Sequence, residues 1–215
     1  MRLNVVENTK RNVVFGLFNK VVVMICPFVV RTIIQNVLGA EYLGLNSLFS
    51  SILSVLSLSE LGFSSAIVYS MYKPVAENDI KTVNALLNFY RKVYIIVGIV
   101  ILVLGVSLIP FLPKLISGSF LTDINLVILY FIYLGNVVIS YFMFAYMSSL
   151  IVVYQREDIN SITNLIVTLC MNILQIFILL IFKNYYLFSI LMPIFTIINN
   201  VRIAFVVHKL FPQYH

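Results

Sequence analysis

The chain has 215 residues, of which 61% are hydrophobic and 10% charged, and its mean hydropathy is +1.04. A soluble domain keeps roughly 25% charged residues to solvate its surface, so an ordinary globular domain in water is excluded. The net charge of +6 does not mark a nucleic-acid-binding protein. The cations sit in short gaps between apolar runs and form no basic stripe interleaved with aromatics.

The apolar runs are about 20 residues long, enough for a helix to cross a hydrocarbon core of about 30 Å. They predict an all-α integral membrane protein, a bundle of six transmembrane helices. The first span covers 12–34, too long for a signal-peptide core and so a retained span. A tight connection at 35–42 leads to the second, 44–69. The longest polar stretch, 70–92, follows as a cytoplasmic linker. Within it Ile80, Val83, Leu87 and Tyr90 recur at helical spacing after Asn78 and Asp79, which predicts a capped amphipathic helix at the membrane interface. The third span is 93–112, with Gly98 and Gly105 on one face for close helix contact and Pro110 and Pro113 at its end. The fourth, 125–153, is long enough to tilt or project. A break at Tyr154–Asp158 holds the dense charge cluster of the second half. The fifth and sixth spans are 162–182 and 185–207.

Topology follows from the cations. With the amino terminus in the cytoplasm, Arg2, Lys10, Arg11, Lys73, Lys81, Arg91, Lys92, Arg156 and Lys209 fall inside, and Lys114 and Lys183 outside. Arg202 lies near the inner end of the sixth span. Nine against two obeys the positive-inside rule and puts both termini in the cytoplasm.

Two cations, Lys20 and Arg31, fall within the first span. A Lys or Arg near a helix centre costs roughly 2.5–3.5 kcal/mol on insertion scales. Being eleven residues apart, they lie within about 20° on one helical face, with Arg31 near the outer interface, where it either snorkels or meets a ligand. Glu60, in the antiparallel second span, falls at a depth similar to Lys20. The pair either faces a polar interior or escapes it, Lys20 by snorkelling and Glu60 by taking up a proton. In the fifth span Ser161, Asn164, Thr168, Asn172 and Gln175 form a polar stripe at steps of three or four. Such a stripe either joins helices through hydrogen bonds or lines a substrate path.

Cys26 and Cys170 lie far apart within apolar runs and read as small packing residues. No HExxH, glycine-rich phosphate loop, paired acidic cluster or nucleophile–base set occurs in the sequence, and neither an enzyme, a metal nor a cofactor is expected.

Several stretches together resemble the polysaccharide flippases of the multidrug/oligosaccharidyl-lipid/polysaccharide exporter superfamily, the O-antigen and capsular repeat-unit transporters. They are Arg31, then Leu38-Gly39-Ala40-Glu41-Tyr42-Leu43-Gly44, Glu60-Leu61-Gly62-Phe63-Ser64-Ser65-Ala66, the linker with Lys73-Pro74, Asn84, Tyr90 and Arg91, and Tyr154-Gln155-Arg156-Glu157. The resemblance implies a transporter of twelve or more helices in two lobes, of which this chain is the amino-terminal six-helix lobe. It implies an isoprenoid-pyrophosphate-linked oligosaccharide as substrate, a bacterial cytoplasmic membrane as the site, and a second, carboxy-terminal lobe as partner. Lys20 and Arg31 become expected substrate contacts, and Glu60 an ion-coupling group or charge partner. A multidrug or lipid-precursor exporter of the same superfamily and a non-transporting membrane scaffold are the alternatives.

Overall fold

The computed structural model describes residues 5–57, 63–115 and 124–214, with the backbone course alone for residues 5–8. Among the described residues there is no strand. The helices are α1 (Val5–Val37), α2 (Ala40–Ser57), α3 (Phe63–Ala76), α4 (Ile80–Ser107), a short α5 (Leu112–Leu115), α6 (Leu126–Phe142), α7 (Ser148–Val153), α8 (Glu157–Ile181) and α9 (Tyr185–Leu210).

The sequence punctuates these helices with polar caps and left-handed turns. Asp79 caps α4 by accepting from the Thr82 amide, Asn125 caps α6 through Val127 and Ile128, and Asn184 caps α9 through Leu187. Each side-chain oxygen satisfies amides that a first helical turn leaves free. The α1–α2 corner turns on Gly39, whose φ of +112° suits glycine, while the amides of Leu38 and Gly39 both donate to the Ile34 carbonyl. Asn78, Gln155 and Lys183 take positive φ at the other tight turns.

Four helical segments are long and apolar enough to cross a membrane: 9–37, 80–115, 157–181 and 185–210. Together α6 and α7, with the 3-10 turn Ala145–Met147 before α7, form a fifth, bent by 48°. Among the described residues four or five spans qualify by length and apolarity, where the sequence predicts six. The expected second span falls on two shorter helices, α2 and α3, on either side of 58–62, which lie outside the described residues. The expected fourth span is broken at Met143–Phe144, where Phe144 has φ +56°. The expected amphipathic linker helix is not a separate element either. Its first turn is the start of α4, a continuous 28-residue helix, about 42 Å long. Val83, Leu87 and Tyr90 are buried against protein, with the Tyr90 hydroxyl on Ser64 of α3.

In the packing, α8 lies between α1 and α9, α9 against α6, and α6 against α4, while α2 touches α6, α4 and α1, and α3 packs on α4 and α7. Gly98 and Gly105 are where α6 comes close to α4, and the Tyr130 hydroxyl donates to the Gly105 carbonyl. One end of the bundle gathers the start of α1, the α3–α4 turn, the α7–α8 turn and residues 211–214. Asn12 there donates to the Gln155 carbonyl, the Tyr154 and Tyr214 hydroxyls meet at 2.7 Å, and Asn84 reaches the Gln213 carbonyl. At the other end Tyr186 binds the Asn125 amide and Tyr42 stacks edge-on against Tyr185.

Candidate functional site on the first helix

Helix α1 is held along a single flank. Gly16 faces Ser161 of α8, Asn164 donates to Asn19 at 3.3 Å, and nearer the chain start Arg11 meets Asp158. Only 6% of its span is buried. Across the rest of its surface Leu17, Phe18, Met24 and Phe28 are open, Met24 at 77%.

Lys20 and Arg31 both stand on that open surface, about 16 Å apart along the axis. Among the described residues neither makes an ion pair. The structure brings the two cations onto one exposed helix face and encloses neither. Glu60, expected beside Lys20, lies outside the described residues.

Two residues of the stripe on α8 bond to neighbouring helices and two bond within α8 itself. Asn164 reaches α1, Thr168 donates to Asn164, Asn172 donates to the Thr168 carbonyl, and buried Gln175 donates to the Phe188 carbonyl of α9. In lipid such bonds hold helices that no hydrophobic drive pulls together.

Two polar constellations were missed by the sequence reading. The first is a charged clasp. Asp158, fully buried in the first turn of α8, accepts from Arg11 at 2.6 Å and from two nitrogens of Arg156 at 2.9 and 3.2 Å. Its amide donates to Asn12 at 2.7 Å. A carboxylate here is favoured by the helix dipole as well as by the guanidiniums. The charge density at Tyr154–Asp158 was the sequence signal, but nothing in it named Arg11, 147 positions away, as partner. The second joins α2, α6 and α9: the Tyr133 hydroxyl lies 2.8 Å from Asn46 and 2.9 Å from the Tyr185 hydroxyl, and Thr196 donates to Asn136 at 2.7 Å.

Outside the spans, two groups titrate away from their ordinary values. Hydrogen bonds from the Thr82 side chain and amide hold the Asp79 carboxyl below the usual range. Burial, then the neighbouring Tyr214 hydroxyl, pushes the Tyr154 phenol up. Cys26 and Cys170 are free thiols, Cys170 exposed rather than packed. Among the described residues no cluster of three or more His, Cys, Asp or Glu could hold a metal ion.

Several long apolar helices, joined to one another by buried amide and hydroxyl bonds, have the build of a multi-pass membrane protein. That is its class. No protein-family model matches the chain, and neither does any curated protein or solved structure.

Proposed function

We propose that this protein is one lobe of a transporter that flips isoprenoid-pyrophosphate-linked oligosaccharides across the bacterial cytoplasmic membrane, with both termini in the cytoplasm. The observation that carries the reading is the pair of cations Lys20 and Arg31, in line on the exposed face of an apolar helix and without an ion pair among the described residues. Membrane-embedded charge is expensive and is retained where it meets a ligand, an ion or water. A pyrophosphate between two such cations gains from a low-dielectric setting, and the Arg31 fork matches its oxygens. A second lobe facing α1 closes the passage, and alternating exposure of that passage to the two sides carries the headgroup across.

The test is export of surface polysaccharide by the complete gene product in a strain lacking its own flippase. The wild type restores export. Lys20→Ala with Arg31→Ala lowers it at least tenfold at unchanged membrane abundance, while Lys20→Arg retains most of it. Full export by the double variant removes the reading, and no rescue by the wild type leaves a membrane scaffold ahead.

A further inference from the structure

A groove of about 250 Å³ opens between α2, α6 and α9, lined by Ser50, Ser54 and Ser57 of α2, Tyr133 and Asn136 of α6, and Met192 of α9. With α6 and α9 crossing the membrane, as proposed, it falls at the level of the hydrocarbon interior. Tyr133 and Asn136 sit midway along α6, and Met192 is seven residues into α9, about 10 Å from its start.

The lining carries no formal charge. It offers hydroxyls and a carboxamide, which both donate and accept, set among the apolar side chains of Leu53, Val137 and Met192, against which the carbon face of a ring can lie. These groups are only partly committed. The Ser57 hydroxyl is spent on the Leu53 carbonyl, as helical serines commonly are in an apolar setting. Ser50 and Ser54 are exposed and make no hydrogen bond among the described residues. Asn136 has its carbonyl oxygen engaged by Thr196, which leaves its amide hydrogens as donors. The Tyr133 hydroxyl is fixed by Asn46 and Tyr185 at the groove's far wall. Hydrocarbon would leave Ser50 and Ser54 without solvation, at a cost that alanine would avoid. An anion would find no counter-charge here, and a purely apolar group would leave the amide and hydroxyls unpaired.

We infer that this groove binds an uncharged, polyhydroxylated group, a sugar ring of the ligand whose pyrophosphate meets Lys20 and Arg31. The inference rests on the proposed function. Its size fits that assignment, because whole ligands of drug size occupy pockets of roughly 300–1,000 Å³. One ring enters this groove while the rest of the ligand stays outside it.

The experiment measures thiol labelling in the complete gene product, with Cys26 and Cys170 replaced by alanine. Ser54→Cys reports on the groove, and Met24→Cys, between Lys20 and Arg31 on the same face, reports on the cations. The probe is a charged, membrane-impermeant methanethiosulfonate applied to vesicles of both orientations. The vesicles come from cells that load sugar onto the isoprenoid carrier and from cells blocked at the first sugar transfer. The groove predicts that Ser54→Cys reacts in vesicles from blocked cells and at least tenfold more slowly in vesicles from loading cells. If both cysteines react but Met24→Cys alone is protected, the groove assignment is overturned and the transporter reading stands. If neither is protected, the transporter reading falls and takes the groove with it. Protection at Ser54→Cys alone keeps the groove and removes the cations as headgroup contacts. Complete unreactivity at Ser54→Cys in both vesicle types means a dry groove and overturns the inference.

Discussion

Replacing Asp158 tests whether the clasp at the charged end fastens α1 to the bundle. The Asp158 side chain is 1% exposed, Arg156 12% and Arg11 41%. Removing one member of a buried ion pair costs about 3–5 kcal/mol, because the charge left behind is uncompensated. In Asp158→Ala both guanidiniums lose their partner, but Arg11 can turn to water, which puts the expected loss at the lower end, about 3 kcal/mol. Arg11→Ala leaves the two Arg156 bonds in place and removes a half-exposed leg, for about 1 kcal/mol. Arg156→Ala falls between, at about 2 kcal/mol, by losing a charge-assisted pair of hydrogen bonds. For a chain of this size 1 kcal/mol moves the midpoint by roughly 2–4 °C. Thermal unfolding in lipid nanodiscs should therefore show Asp158→Ala about 6–12 °C below wild type and Arg11→Ala about 2–4 °C below. An Asp158→Ala midpoint within about 2 °C of wild type, or an Arg11→Ala loss equal to it, refutes a buried clasp centred on the carboxylate.

Three further outcomes follow from the packing. A Cβ at Gly105 runs into both terminal methyls of Leu134, itself 1% exposed, whereas one at Gly98 meets Tyr141 and Phe142 at 3.1 and 3.2 Å and one at Gly135 meets nothing. Unfolding midpoints should fall for Gly105→Ala, by about 1–2 kcal/mol of overpacking less the gain in helix propensity, fall less for Gly98→Ala and hold or rise for Gly135→Ala. Gln175→Leu, which deletes one long bond to the Phe188 carbonyl, should cost about 0.6 kcal/mol and leave export intact. Loss of export at preserved stability would assign the α8 stripe to the substrate path instead. Because the folded Asp79 carboxyl lies below its ordinary value, its stabilising effect is complete above a pH of about 4 and is lost as pH falls through the lowered value. Amide protection at Thr82, taken against the exchange of an unstructured peptide at the same pH, should fall on acidification across that window, and in Asp79→Asn it should not change there.

The helices were legible because apolar runs and capping residues are local signals: Asn78-Asp79 begin a helix where the pattern put one, and the α1–α2 corner falls within the connection expected at 35–42. The joins between helices were not. That α4 runs unbroken through 91–93 depends on Tyr90 and Val83 finding protein to pack on, and an amphipathic face looks the same whether it meets a lipid headgroup or another helix. The break near Phe144 carries no Gly or Pro to announce it in the sequence. Of the site, the in-line placement of Lys20 and Arg31 followed from helical periodicity alone. The Asp158 clasp joins positions more than 140 residues apart, and no spacing rule reaches that far.

Between the two cations, Arg31 separates a ligand face from a lipid face. Side chains on a helix lean toward its amino terminus, which for α1 is the end carrying Arg11 and the clasp. Lys20 therefore leans toward the nearer polar boundary, and its long stem eases its own burial. Arg31 leans the other way relative to its boundary, toward the middle of the span and away from the α1–α2 corner. Snorkelling relieves the first cation more than the second. If lipid covers this face, Arg31→Leu removes part of the cost of a buried cation, below the figure of about 2.5–3.5 kcal/mol that applies at a helix centre, and the variant should be more stable and export normally. If the face lines a wet passage, water already solvates the guanidinium, so the same change gains little stability while export falls at least tenfold. Stability and export measured on Arg31→Leu thus move in opposite combinations under the two conditions. A more stable protein with undiminished export would remove the physical ground for placing a pyrophosphate on α1.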